Sequence, residues 1–225
     1  MLQAVVFDFD SVLADSEPLH FRAYRDVLGE EGITLAETDY YAKYLGYDDA
    51  GAFAAIAADC GLEWSRERID DLVERKARRM EALVHDDSVL FPGAAHAVRR
   101  LATRCPIAVV SGALRREIDR ILDHADLSRY FAAIVSAEDA PASKPAPDPY
   151  LRAIQLLSVR SAVSPAECVA IEDSRWGLES AIAAGFRTVA VTHTYPAREL
   201  AAADATVPRL DCLTWEFLSG VRFRR

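Results

Sequence analysis

The first apolar run of this chain, Ala4 to Phe7, breaks into two carboxylates two residues apart, Asp8-Phe9-Asp10-Ser11-Val12-Leu13. A carboxylate buried without a partner is costly or is forced to take up a proton. A pair at the end of a buried strand therefore suits a cation to be bound or a proton to be carried. The same two residues would also serve as caps of a following helix, a position that Asp favours.

Three further strand ends carry groups of complementary chemistry. Val109-Val110-Ser111-Gly112 places a hydroxyl and accessible backbone N–H groups at a strand-to-helix turn, which suits either a phosphate cradle or a simple helix cap. In Ser143-Lys144-Pro145-Ala146-Pro147-Asp148-Pro149 the prolines stiffen a loop around one lysine, and a stiff loop can fix a point charge. Val169-Ala170-Ile171-Glu172-Asp173-Ser174 again ends an apolar run in acids. Two acid clusters at separate strand ends point to a hard, oxygen-seeking cation between them.

The elements that must position these groups alternate. Short Val-, Ile- and Ala-rich runs at 4–7, 106–110, 133–135, 168–171 and 188–192 are separated by amphipathic segments, the pattern of a parallel α/β sheet covered on both faces. Gly112 and Gly177 fall just beyond two of these strands, where open α/β sheets gather ligands. Residues 16–90 break the alternation with helical patterns near 18–31, 37–45, 49–60 and 65–84 and no convincing strand. They form a helical insert in a core made of 1–15 and 91–225. Pro18 suits a helix start, Gly61 a stop and Ser65 a cap. On the helix 65–84, Lys76 falls on the apolar stripe of Ile69, Leu72, Val73, Met80 and Leu83. It either snorkels to solvent or faces a cleft and meets an anion.

The whole chain sets limits. Its 225 residues are enough for one large domain, or one domain with an insert, and its net charge of −9 disfavours nucleic acid or an anionic membrane as partner. No apolar run reaches the length of a membrane span, and no signal-peptide pattern opens the sequence, so a cytoplasmic protein is expected, monomeric by default. Cys60, Cys105, Cys168 and Cys212 form no CxxC and are expected to pack as small core residues. His85, His96, His124 and His193 have no motif context.

The four motifs, in this order, resemble those of the haloacid dehalogenase-like hydrolases, and the insert resembles that family's α-helical cap in the β-phosphoglucomutase and phosphoglycolate-phosphatase-like branch. The resemblance spans nearly the full length. It implies a Rossmann-like parallel sheet core with an inserted helical cap domain, acting on a small phosphorylated metabolite with Mg²⁺. Asp8 would be the nucleophile and Asp10 the acid/base, with Asp8, the Asp10 carbonyl, Glu172 and Asp173 around the metal. Ser111, Gly112 and Lys144 would hold the phosphoryl oxygens. His20 and Lys76 match a histidine and a cap lysine of that branch that serve substrate binding.

Two departures bear on function. Ser11 stands where the family usually has glycine, which restricts the backbone after Asp10 and suggests slower or more selective chemistry. The segment Leu45-Gly46-Tyr47-Asp48-Asp49 has no basic residue where a phosphoglucomutase of the branch carries a cap arginine. Acids there are expected to repel a second phosphate, favouring a monophosphate hydrolase over a mutase. A weakly catalytic phosphate-binding regulator is the alternative of a different class.

Overall fold

The computed structural model describes residues 2–83, 89–159 and 162–223. The chain divides into two compact units, Met1–Asp15 with Val89–Arg225, and Ser16–Ser88.

The first unit is built on six parallel strands: β1 (Ala4–Phe7), β2 (Ile107–Val110), β3 (Ala133–Val135), β4 (Cys168–Glu172), β5 (Arg187–Val191) and β6 (Ala205–Val207). Their order is β3-β2-β1-β4-β5-β6. Each pair is parallel, with Val5 opposite Ile107 on one side and Val169 on the other. Side chains alternate between faces of a strand. Ala4 and Val6 thus join Ala108, Val110 and Ala170 against Tyr150, Ala153 and Phe186 on one face. Val5 and Phe7 point to the opposite face and are equally buried, which is why these runs are apolar throughout. The chain adds β2 and β3 on one side of β1 and then β4, β5 and β6 on the other, so a crevice opens beyond the carboxyl ends of β1, β2 and β4. That is where such sheets bind ligands.

The second unit is helical. It holds α1 (Glu17–Glu30), a single turn α2 (Glu37–Asp39) running into a π-helical turn at Tyr40–Tyr44, α3 (Asp49–Asp59) and α4 (Arg66–Leu83). Its core joins Tyr24, Val27, Leu28, Tyr40, Phe53, Ile56 and Leu72. Pro18 lies in the first turn of α1, and Gly61, at φ +68°, follows α3 where a side chain would be strained. The Ser65 hydroxyl accepts from the Arg68 N–H at the start of α4. Residues 37–45, expected as one helix, are split because Tyr40 and Tyr44 both turn inward, their hydroxyls donating to Glu17 and Asp59 at 2.7 and 2.6 Å.

In the first unit the helices are α5 (Ala94–Ala102), α6 (Arg115–His124), α7 (Asp148–Leu157), α8 (Arg175–Ala183) and α9 (Trp215–Gly220). Strand β6, absent from the sequence expectation, is a three-residue edge strand with one residue buried, too short and too exposed to show as an apolar run. Cys105 and Cys168 are buried as expected, whereas Cys60 is exposed at the end of α3. His85 lies outside the described residues.

Candidate active site

The carboxyl ends of β1, β2 and β4 bring six of the sequence-singled residues together in the first unit. Asp8 follows β1, and its backbone N–H donates to Ile171 O at 2.9 Å, extending the ladder by one residue. Beyond it the chain turns sharply. The Phe9 carbonyl accepts from the N–H groups of Leu13 and Ala14 at 2.8 and 2.9 Å, and the Ser11 N–H donates to Ala14 O at 2.7 Å. Ser11 sits at φ +59°, the left-handed region where glycine is at ease and a Cβ costs about 1–2 kcal/mol.

Lys144 is the hub. Its Nζ donates to Asp8 Oδ1 and Glu172 Oε1, both at 2.7 Å, and to the Val110 carbonyl at 3.1 Å. The loop that presents it ends in Pro147 and Pro149, which open α7, so the stiffness read from the sequence serves to hold one ammonium. Asp8, Glu172 and Asp173 offer oxygens within 4.8 Å of one another, and all three are buried. One lysine against these acids leaves the cluster strongly negative. Burial, and then the charge of Glu172, raise the Asp8 carboxyl well above its ordinary range, with Lys144 acting in the opposite direction. Burial alone would lower the Lys144 ammonium, but the charges of Asp8 and Glu172 outweigh it and raise it. The set of three carboxylates with excess charge fits a hard divalent cation, whose charge would relieve the repulsion that pushes Asp8 up.

Asp10 stands apart from that cluster. Its Oδ2 accepts a hydrogen bond from the Ser111 hydroxyl at 2.9 Å, and Ser111 Oγ in turn accepts from the Ala113 N–H at 2.9 Å. Ser111 therefore closes a tight turn and holds Asp10, and it is not the cap of α6, whose N-cap is Leu114. Gly112 is exposed in the same turn.

Tyr150 and His193, to which pattern reading gave no role, and Gly177, read only as lying just beyond a strand end, complete the arrangement. The Tyr150 hydroxyl donates to Glu172 Oε1 at 2.7 Å, and burial followed by the Glu172 charge holds its proton well beyond the ordinary phenol range. Gly177 in α8 is packed so closely that a Cβ would stand 1.9 Å from Glu172 Oε2. Its smallness is therefore for the carboxylate, not for the turn. His193, beyond β5, places Nδ1 3.1 Å from the Ser11 carbonyl. The Tyr and Gly could have been suspected from their nearness in sequence to Lys144 and Glu172; nothing near His193 signals its partner.

Lys76 and His20 belong to the helical unit. Lys76 is fully buried, so it does not snorkel. Its Nζ lies 2.7 Å from His20 Nδ1 and 2.9 Å from the Asp49 carboxylate, over the ring of Tyr24. Tyr24 donates to Asp49 Oδ1 at 2.7 Å. The expectation of an acidic pair repelling phosphate is corrected in its cause. Asp48 caps α3, accepting from the Gly51 N–H at 2.7 Å, and Asp49 is an internal counter-charge to Lys76.

A parallel α/β sheet with a lysine-bridged acid cluster at its topological switch point defines a class of hydrolytic enzyme built on carboxylates. Residues 2–185 match the haloacid dehalogenase-like hydrolase family. The chain belongs to that family and is an enzyme of its phosphatase kind. It is 32% identical over 218 residues to Protein CbbY of Rhodobacter capsulatus, covering 93% of this chain and 94% of the relative. It is 30% identical over 195 residues to fructose-1-phosphate phosphatase YqaB of Escherichia coli, covering 83% and 95%. Among solved structures, CbbY of Rhodobacter sphaeroides with xylulose-(1,5)bisphosphate superposes with a TM-score of 0.86 at 24% identity, over 97% and 99% of the two chains. A β-phosphoglucomutase from Clostridium difficile gives 0.85 at 22%, over 96% and 95%. These two structures share the fold. Among the described residues, no helix is long and apolar enough to cross a membrane.

Proposed function

We propose that the protein is a Mg²⁺-dependent phosphatase of a small sugar or sugar-alcohol monophosphate, working through a phosphoryl group carried on Asp8. The observation that carries this reading is the division of labour between the two aspartates. Asp8 is fixed by Lys144 within the acid cluster, while Asp10 is held apart by Ser111. That division supports Asp8 as the group that attacks phosphorus and Asp10 as the group that moves a proton.

In the first half-reaction a carboxylate oxygen of Asp8 bonds to phosphorus as the ester oxygen departs, taking a proton from Asp10. In the second, Asp10 accepts a proton from water as that water attacks the same phosphorus and frees Asp8. Lys144, the Ser111 hydroxyl and the Gly112 N–H are the groups that would offset charge on the phosphoryl oxygens. Asp8, Glu172, Asp173 and the Asp10 carbonyl would hold Mg²⁺, which supplies further charge neutralisation when bound. The helical unit, Ser16–Ser88, is read as the cap.

The substrate class draws on relatives named fructose-1-phosphate phosphatase and hexitol phosphatase B. Phosphoglycolate and nucleotide-like monoesters remain within the same chemistry. The pairing of Lys76 with Asp49 supports hydrolysis over a mutase, because a cap cation with its own counter-charge is a poor second-phosphate anchor. A cytoplasmic location belongs to the same reading, supported by four free thiols.

A panel of sugar, hexitol and glycolate phosphates, assayed for phosphate release with Mg²⁺, with EDTA and with Asp8→Asn, tests the proposal. Release that depends on both Mg²⁺ and Asp8 is expected. Equal release by wild type and Asp8→Asn would sink it, and conversion of β-glucose 1-phosphate to glucose 6-phosphate at comparable rate would favour the mutase.

A further inference from the structure

We infer that His193 is a positioning residue for the Asp10 turn, holding the strained Ser11 through its carbonyl. Ser11 and Asp126 are the two non-glycine residues with positive φ among the described residues. Such a conformation persists when surrounding contacts over-determine it. At Ser11 those contacts can be named. The Ser11 N–H donates to Ala14 O at 2.7 Å, which fixes the peptide plane between Asp10 and Ser11. The Ser11 carbonyl lies 3.1 Å from His193 Nδ1, which fixes the next plane.

A carbonyl oxygen can only accept, so Nδ1 carries the hydrogen in either charge state of the ring. The bond is therefore no pH switch. The imidazole is itself held flat by Phe91, whose ring stacks on it at 4.2 Å between centroids and 24° between planes. The Phe91 N–H donates to Leu13 O at 2.9 Å. Phe91 and His193 thus hold the turn at Leu13 and at Ser11, and the turn carries Asp10.

The consequence runs through geometry. Rotation at Ser11 φ tilts the Asp10–Ser11 peptide, whose carbonyl belongs to Asp10, and swings the Asp10 side chain relative to Ser111. Without the His193 bond, Ser11 has a downhill path to negative φ, since the left-handed region is strained for a residue with a Cβ. A hydrogen bond to its carbonyl opposes that relaxation. A glycine at position 11 would not need such a clamp, because it occupies positive φ without penalty. Ser11 and His193 are in this sense a matched pair.

The inference rests on the phosphatase reading, and the test separates the two. His193→Leu and His193→Asn have side chains of similar size, but only Asn offers an N–H near the place of Nδ1. On the best phosphomonoester of the panel, His193→Leu should lower kcat by about 10- to 100-fold, the range expected when a reacting group is misplaced by about 1 Å. KM should stay within about 2-fold, since ground-state binding is not what the clamp serves. His193→Asn should recover kcat to within about 3-fold of wild type, with a thermal midpoint equal to that of the Leu variant. Should His193→Leu not fold, His193→Ala takes its place in the comparison. Equal kcat for wild type and His193→Leu, with Asp8→Asn inactive, would overturn the clamp and leave the phosphatase reading standing. Equal losses in Leu and Asn, or a loss confined to KM, would overturn it too. Activity surviving in Asp8→Asn would overturn the reading beneath it.

Discussion

Replacing Gly177 by alanine should be damaging, although alanine is the better helix former. The substitution puts a Cβ 1.9 Å from Glu172 Oε2, 2.1 Å from its Cδ and 2.3 Å from Oε1. An ordinary contact of about 3.4 Å demands that the carboxylate retreat by about 1.5 Å. It cannot do so without leaving Tyr150 and Lys144, each 2.7 Å from Oε1. Overpacking of this kind costs about 1–3 kcal/mol, and the helix propensity gain returns at most about 1 kcal/mol. After that return the net loss is up to about 2 kcal/mol, a fall in Tm of up to roughly 8 °C for a chain of this size. Displacing Glu172 and, through Lys144, Asp8 should lower kcat about 100-fold. Gly29→Ala is the internal contrast. Nothing lies within 4 Å of its Cβ position in α1, so the same chemical change should raise Tm by about 2–3 °C and leave kcat alone. Thermal melts and steady-state assays on the two variants decide the matter. Gly177→Ala as stable and as active as wild type would refute the account of how Glu172 is held.

Other outcomes follow from the same structure. Asp49→Asn leaves the buried Lys76 ammonium short of its counter-charge, at a cost of about 3 kcal/mol, and adding Lys76→Met should return most of it; denaturant midpoints for the single and double variants check this, and simple addition of losses would contradict it. Asp8 has its carboxyl raised above the ordinary value of 3.8, so in EDTA the folded state holds that proton more tightly than the unfolded chain, and stability is lost as pH rises through the raised value. Asp8→Asn should therefore melt higher than wild type at neutral pH in EDTA, with the gap closing toward pH 4; a gap independent of pH would remove the argument. Ser11→Gly relieves about 1–2 kcal/mol of strain but frees the unfolded chain by about 0.4–1 kcal/mol, so Tm should rise by no more than about 6 °C, and a fall would show that Ser11 makes a compensating contact.

Much of the catalytic unit was legible because its strands are buried on both faces. Runs such as Ile107–Val110 and Cys168–Glu172 show in sequence as unbroken apolar stretches, and the polar residue that ends each one marks the crevice. Asp8, Asp10, Ser111, Glu172 and Asp173 were visible on that ground, and Lys144 through the prolines of its loop. What stayed hidden depends on contacts between residues distant in sequence. Lys76 on an apolar stripe gave no sign of Asp49, 27 positions away, and Gly177, read as lying just beyond a strand end, gave no sign of its packing against the Glu172 carboxylate. His193 lies 182 positions from Ser11, and no local pattern reports a hydrogen bond to a backbone carbonyl. The break between α2 and the π-helical turn at Tyr40–Tyr44, inside a segment expected as one helix, likewise involves inward tyrosines whose partners are remote.

The claim that Asp8 carries the phosphoryl group is tested most directly by quenching the enzyme in acid during turnover of its best phosphomonoester and mapping the peptides by mass spectrometry. The peptide containing Asp8 and Asp10 should gain the mass of one phosphoryl group, on Asp8, and Asp8→Asn should show none. An unmodified Asp8 peptide under conditions of rapid turnover, or an adduct elsewhere in the chain, would contradict it.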